Sequence, residues 1–360
     1  MDTSKRIYLD YNATTPLCGD FIVALGRGDI PYANPSSQHT SGKQSHKYTE
    51  QVKSYLFDYF GLSKHEYEIL FHSGASEASN TFLAKGDEKF LFFNSDHACV
   101  TSLANNKNSF MLDPLANGQM NIEDVVRHIK EQNCSWMHFT QVHNETGVVW
   151  PLEIAQKIKE QTNCKIYVDA VQAPGKIKNF QNLISGIDVY TYSGHKFGAL
   201  KGIGFSFYKK DLVFSPLVKG GGQQLGKRAG TVNVQGIASL KFALDNVTLN
   251  EDLKALKEEI IKILEVNSKI QVISNDSYNT ICFVHAYLKS DILLIHFDLA
   301  GLDVSSGSAC SSGSMSESKT LKAMGYGDLA SHNIRISLGP ENLLHKDTII
   351  SKLKQVMEKL

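Results

Sequence analysis

Short apolar runs alternate with longer segments of helical period along most of this chain. Runs at 68–72, 89–93, 166–168, 189–192 and 203–207 predict strands. Their nearly unbroken apolar character suits strands covered on both faces. Between them, Tyr48, Val52, Tyr55, Leu56 and Tyr59 mark one helical face, and Gly61 stands where a C-terminal cap belongs. The pattern changes after about residue 248. Leu253, Leu256, Ile260, Ile261 and Leu264 form a helical stripe in a charged segment. A strand is predicted at 280–284, and a last helix carries Ile349, Ile350, Leu353, Val356, Met357 and Leu360. Alternating strands and helices predict a large α/β domain, followed by a smaller α+β domain.

Length and composition sharpen this picture. A chain of 360 residues exceeds what one core usually serves, so two domains are expected. Lys and Arg together number 37, as do Asp and Glu, so charge gives no reason to expect nucleic acid or an anionic membrane as partner. No stretch has the length of a membrane span, and the opening residues lack the apolar core of a signal peptide. Cysteines stand singly at 18, 99, 134, 164, 282 and 310, without metal-ligand spacing, so no metal is expected. Unpaired thiols suit a reducing cytoplasm, which is the expected location.

The chemistry-bearing candidates cluster after predicted strands. Ser193-Gly194-His195-Lys196 follows the run at 189–192. Ligands gather beyond the carboxyl ends of strands in open α/β sheets, and a lysine there can form a Schiff base; most lysines are simply solvated. Asp169 ends a strand, where it suits either a protonated ring nitrogen or a helix cap. Ser73-Gly74-Ala75-Ser76-Glu77 lies between a strand and a helix, as a phosphate cradle or an ordinary capped start. His97, after the run at 89–93, suits stacking on an aromatic cofactor or plain capping. The stretch 305–314 is nearly all Ser, Gly and Ala around Cys310, so an exposed, mobile loop with an accessible thiol is expected, or a linker with an incidental one.

Taken in order, these segments resemble the cysteine desulfurases, among the fold-type-I pyridoxal-phosphate enzymes. The resemblance runs through 8–16, Asn34-Pro35-Ser36-Ser37-Gln38-His39, 73–77, Asp96-His97 and Asn144-Glu145-Thr146-Gly147. It continues through 168–172, 193–196, Gly220-Gly221-Gly222 with Arg228-Ala229-Gly230-Thr231, 305–312 and 334–339. The SSGSAC loop is similar to the subgroup with the longer catalytic loop. The resemblance implies the aspartate-aminotransferase-like fold: a large domain at 15–248 with a mixed, mostly parallel seven-stranded sheet between helices, and a small domain from 1–14 and 249–360.

It also implies roles. Lys196 would carry pyridoxal 5'-phosphate and shuttle protons, Asp169 would hold the ring nitrogen protonated, and Gln172 would bond the ring oxygen. His97 would stack on the ring and act in acid–base steps. Ala75, Ser76, Ser193 and His195 would hold the phosphate, while Thr231 would reach the phosphate of the other subunit of a homodimer. Asn34, Asn144 and Arg335 would bind substrate. The implied reaction turns L-cysteine into L-alanine and leaves the sulfur as a persulfide on Cys310. An acceptor protein, such as an iron–sulfur scaffold or a tRNA-thiolation relay, would then take it. An aminotransferase, a selenocysteine lyase and a catalytically silent partner protein share parts of this pattern; the Cys310 loop favours the desulfurase. The chain departs from the family at Gln224-Leu225, at Ser76 where threonine is commoner, and in stretches near 17–33 and 82–89 that look trimmed.

Overall fold

The computed structural model describes residues 6–84, 87–104, 108–274, 276–307 and 317–360. Cys310 lies outside the described residues, as does most of the Ser/Gly stretch around it. Among the described residues the strands are β1 (Ile7–Tyr8), β2 (Tyr67–His72), β3 (Phe90–Phe93), β4 (Ser109–Leu112), β5 (Trp136–Thr140) and β6 (Lys165–Asp169). They continue with β7 (Val189–Ser193), β8 (Gly204–Lys209), β9 (Ile270–Ser274), β10 (Thr280–His285), β11 (Leu302–Asp303) and β12 (Asn333–Ser337).

A seven-stranded sheet has the order β2-β8-β7-β6-β5-β3-β4. Only β8 runs antiparallel to its neighbours. Phe90–Phe93 and Trp136–Thr140 are buried at every position, as strands covered by helices on both faces must be. From β3 the chain steps outward to β4, then returns to β5 and proceeds through β6 and β7 the other way. Strand order therefore reverses between β3 and β5, and the crevice beyond their carboxyl ends is where such sheets hold ligands.

A second sheet, β12-β10-β9, is antiparallel. It shares a core with the helices Glu251–Glu265 and Lys346–Met357 and with Ile7 and Leu9 from the chain's start. The N-terminal segment thus ties the two cores together. Asp10 pairs with Ser337 beside β12, and Thr15 N–H donates to the His195 carbonyl at 2.8 Å.

The expected runs fall within a residue or two of β2, β3, β6, β7, β8 and β10. The helix Thr40–Phe60 buries Val52 and Leu56, and Gly61 closes it at φ 65° with its N–H on Phe57 O. The pattern did not reveal β5, because His138 interrupts its apolar run. Inside the sheet that imidazole lies 3.0 Å from the Asp96 carboxylate, so its polarity is met by an opposite charge instead of water.

Candidate active site

The carboxyl ends of β5, β6 and β7 open onto a cavity of about 540 Å³, into which the N-terminal segment at 12–14 also turns. Lys196 arrives there because β7 ends in a tight turn, Gly194–Lys196. A Cβ at Gly194 would lie 2.9 Å from the Ala199 Cβ and 3.0 Å from the Ile203 carbonyl, so the turn closes only on glycine. The ammonium donates to the carbonyls of Asn12 at 2.9 Å and Ala13 at 2.8 Å. Thr15 Oγ1 donates to the Lys196 carbonyl at 2.9 Å, which fixes the backbone beneath the side chain.

Asp169 ends β6, one strand away. One carboxylate oxygen accepts the Val171 N–H at 3.0 Å, which directs the side chain over the cavity. This is a local turn, not a helix cap. His97 both lines the cavity and caps the short helix Ala98–Thr101, with Nδ1 accepting the Cys99 N–H at 3.2 Å. The capping role expected as one alternative is present, and the ring lines the cavity as well. Its ring is open to the cavity, but the surrounding protein mass lowers its pKa. Asp169 opposes that shift and Lys196 adds to it, and the net lowering favours the neutral imidazole.

The turn that presents His97 is held from below. Asp96 accepts the Phe93 N–H at 2.8 Å and the Thr140 hydroxyl at 2.8 Å, and pairs with His138.

At the opposite end, Gly74 caps the helix Ala75–Leu83, whose first N–H groups face the cavity. Glu77 braces this turn, accepting the Ser73 N–H at 2.8 Å and the Arg228 Nε–H at 3.0 Å. Ser76, Ser193 and His195 line the same end. His195 is pushed down to about 4, first by burial and then by the charges of Lys196, Lys201 and Lys176, so it is a neutral donor here. Its Nδ1 lies 3.3 Å from the Thr14 hydroxyl.

Arg335, on β12, is 2% exposed and reaches in from the second sheet. It pairs with Asp10 at 2.7 Å and donates to the Asn144 carbonyl at 3.1 Å, while its buried Nε–H has no partner among the described residues. An orphaned guanidinium N–H beside a cavity suits a ligand carboxylate.

Not every expected residue meets at this point. Asn34 is exposed outside the cavity, with its side chain on the Ser36 N–H at 3.0 Å. Thr231 is exposed and likewise absent from the cavity of its own chain. Gln172 lines the cavity, but its amide is engaged by protein: Nε2 donates to Asn12 O at 3.0 Å and Oε1 accepts from Lys176. Asn12 and Lys176 received no role from sequence; the only signal for Asn12 was its place in the segment at 8–16. Gln224, one of the departures, donates to the Phe71 carbonyl at 2.9 Å and accepts its N–H at 2.7 Å, so its amide closes the free edge of β2.

These residues fit pyridoxal 5'-phosphate. Gly74, Ala75, Ser76 and Ser193 line the cavity together at the start of a helix, a place that suits a phosphate. Across the cavity stand an amine, Lys196, for an aldehyde and a carboxylate, Asp169, for a pyridinium.

Comparison with known proteins shows the family of the chain. The family model described as aminotransferase class-V matches residues 7–345. The cysteine desulfurase IscS of Dictyoglomus turgidum is 31% identical, over 99% of this chain and 95% of its own. The cysteine desulfurase of Nostoc sp. is 32% identical, over 98% and 93%. Among solved structures, a NifS-like protein from Rickettsia africae superposes with a TM-score of 0.86 at 28% identity, covering 98% of this chain and 99% of that one. SspA, solved in complex with cysteine, gives a TM-score of 0.77 at 27% identity, with 92% and 99% covered.

Proposed function

The chain belongs to the cysteine desulfurases of the class-V aminotransferase family, and on that premise we propose that it takes the sulfur of L-cysteine onto Cys310, leaving L-alanine, with its cofactor on Lys196. It is an enzyme of pyridoxal 5'-phosphate. When bound, that group supplies an electron sink next to the substrate α-carbon. The observation that carries the reading is the single cavity holding Lys196, Asp169, His97 and the phosphate-facing helix start, with Arg335 at its rim.

Each residue then has a task. Asp169 would hold a proton on the ring nitrogen of the cofactor. Ser76, Ser193, His195 and the backbone at Ala75 would take its phosphate, and Gln172 would bond its ring oxygen. Arg335 and Asn144 fix the substrate carboxylate, so its α-proton faces Lys196, and Lys196 Nζ removes that proton. The Cys310 thiolate attacks the substrate sulfur; the carbon–sulfur bond breaks, a sulfur–sulfur bond forms, and the carbon skeleton leaves as alanine after gaining a proton. His97, neutral and facing the cavity, moves protons in these steps.

The exposed positions of Thr231 and Asn34 suit contributions across a homodimer, which we include in the proposal. We also propose a large domain at 15–248 and a small one from 1–14 and 249–360, a cytoplasmic location, and passage of sulfur to an acceptor protein that serves iron–sulfur assembly or tRNA thiolation. Among the described residues no helix is long and apolar enough to cross a membrane.

The test is to incubate the purified protein with L-cysteine and a reductant and to assay alanine and sulfide together. Equal amounts of both, from a protein that carries the cofactor's absorbance, support the reading. A cofactor-bearing protein that yields neither overturns it in favour of another amino-acid substrate.

A further inference from the structure

Lys176 is only 5% exposed and lines a second cavity of about 340 Å³, to which Lys196 also contributes. No carboxylate of the described residues forms an ion pair with it. Its side chain meets the Gln172 amide oxygen instead. Burial first, then the charges of Lys196 and Arg335, push its pKa well below that of an ordinary lysine, with Asp10 opposing. Keeping a lysine in such a place is costly unless the group does something there.

The contacts show what that is. Lys176 Nζ donates to the Gln172 amide oxygen, so that oxygen faces Lys176 and the amide NH₂ faces the other way. That NH₂ donates to Asn12 O at 3.0 Å, the same carbonyl that receives Lys196 Nζ at 2.9 Å. Asn12 is held on its remaining sides as well. Its N–H donates to Ser337 Oγ at 2.9 Å, its amide donates to Thr280 Oγ1 at 2.8 Å and to Asn144 O at 3.1 Å, and its amide oxygen accepts from Asn279 at 3.2 Å. Without Lys176 the Gln172 amide oxygen loses its donor, and the amide is free to swing away from the Asn12 carbonyl.

We propose that Lys176 is a positioning residue for the cofactor-carrying lysine: by fixing the orientation of Gln172 it holds the Asn12 carbonyl that receives Lys196 Nζ whenever Lys196 is not bonded to the cofactor. This rests on the reading of Lys196 given above. It gives a role to a buried lysine that touches neither cofactor nor substrate.

The test compares wild type with Lys176→Met, Gln172→Leu and the double variant. Apo-protein of each is given pyridoxal phosphate, and the rate of borohydride-trapped adduct on Lys196 is followed by mass spectrometry. In parallel, kcat and KM for L-cysteine are measured on loaded enzyme. The expected result is a slowing of uptake and of kcat by about tenfold in each single variant, no further loss in the double variant, and a KM within about threefold of wild type. Uptake and kcat at wild-type values in Lys176→Met, losses that multiply in the double variant, or an adduct on Lys176 would each overturn the proposal. Should Lys176→Met fail to fold, Lys176→Ala takes its place in the same cycle with Gln172→Leu, and wild-type uptake in it, or losses that multiply in that double variant, overturn the proposal. Wild type that takes up cofactor on Lys196 but releases no alanine would sink the desulfurase reading only, and the uptake rates would still judge Lys176.

Discussion

Arg335 and Asp10 form a 2.7 Å ion pair at the rim of the cavity, joining the last strand of the second sheet to the N-terminal segment. The second carboxylate oxygen of Asp10 accepts the Ser305 hydroxyl at 2.9 Å. The guanidinium is therefore held in place before any substrate arrives, with its Nε–H still unpaired among the described residues. Preorganised in this way, it pays little entropy to grip a carboxylate.

Replacing Arg335 with Lys keeps a positive charge but loses the planar fork. Steady-state kinetics of Arg335→Lys should show KM for L-cysteine raised about 10- to 100-fold, with a much smaller change in kcat. Asp10→Asn should shift KM in the same direction by less. Wild-type KM in both would remove Arg335 from substrate binding.

Lys196→Ala removes both the anchor of the cofactor and the base. Its turnover should drop more than about a thousandfold, and the bound-cofactor absorbance should be replaced by that of free pyridoxal phosphate. Dialysis followed by an absorbance spectrum decides this: a spectrum like that of wild type after dialysis would reassign the anchor.

Cys310→Ala separates sulfur transfer from cofactor chemistry. The variant should keep the wild-type absorbance and still change it on addition of L-cysteine, while sulfide release falls to background. Sulfide production at the wild-type rate would show that another thiol takes the sulfur.

The acid limb of stability should bear the mark of His72. Its imidazole is fully enclosed beside Ser206, and burial depresses its pKa from 6.5 to about 4. The folded protein keeps this group neutral, whereas the unfolded chain protonates it below its ordinary value. Stability is thus fully present above pH 6.5 and is lost progressively as pH falls toward about 4, by about 3 kcal/mol in all. His138 acts with the opposite sign: its pairing with Asp96 raises its pKa, so its contribution is present at low pH and is lost as pH rises through that raised value. Urea unfolding at neutral and mildly acidic pH should show a smaller acid loss for His72→Gln than for wild type. Equal losses would place the acid sensitivity elsewhere.

The sequence by itself determined the larger sheet's main strands and the positions of Lys196, Asp169, His97 and the turn at Ser76. The physical reason is local. Each follows directly on a short apolar run, and a strand buried on both faces writes its burial into consecutive residues. The same locality explains why β5 escaped notice, since the answer to His138 is a carboxylate in the turn after β3. Tertiary structure alone decided that Asn12 meets Lys196, that Arg335 meets Asp10, and that Lys176 turns the Gln172 amide toward Asn12. The first two are contacts across most of the chain, and the third depends on how tightly two cores close over one side chain. Such contacts leave no periodicity in the sequence, because they are specified by packing in three dimensions and not by the order of neighbouring residues.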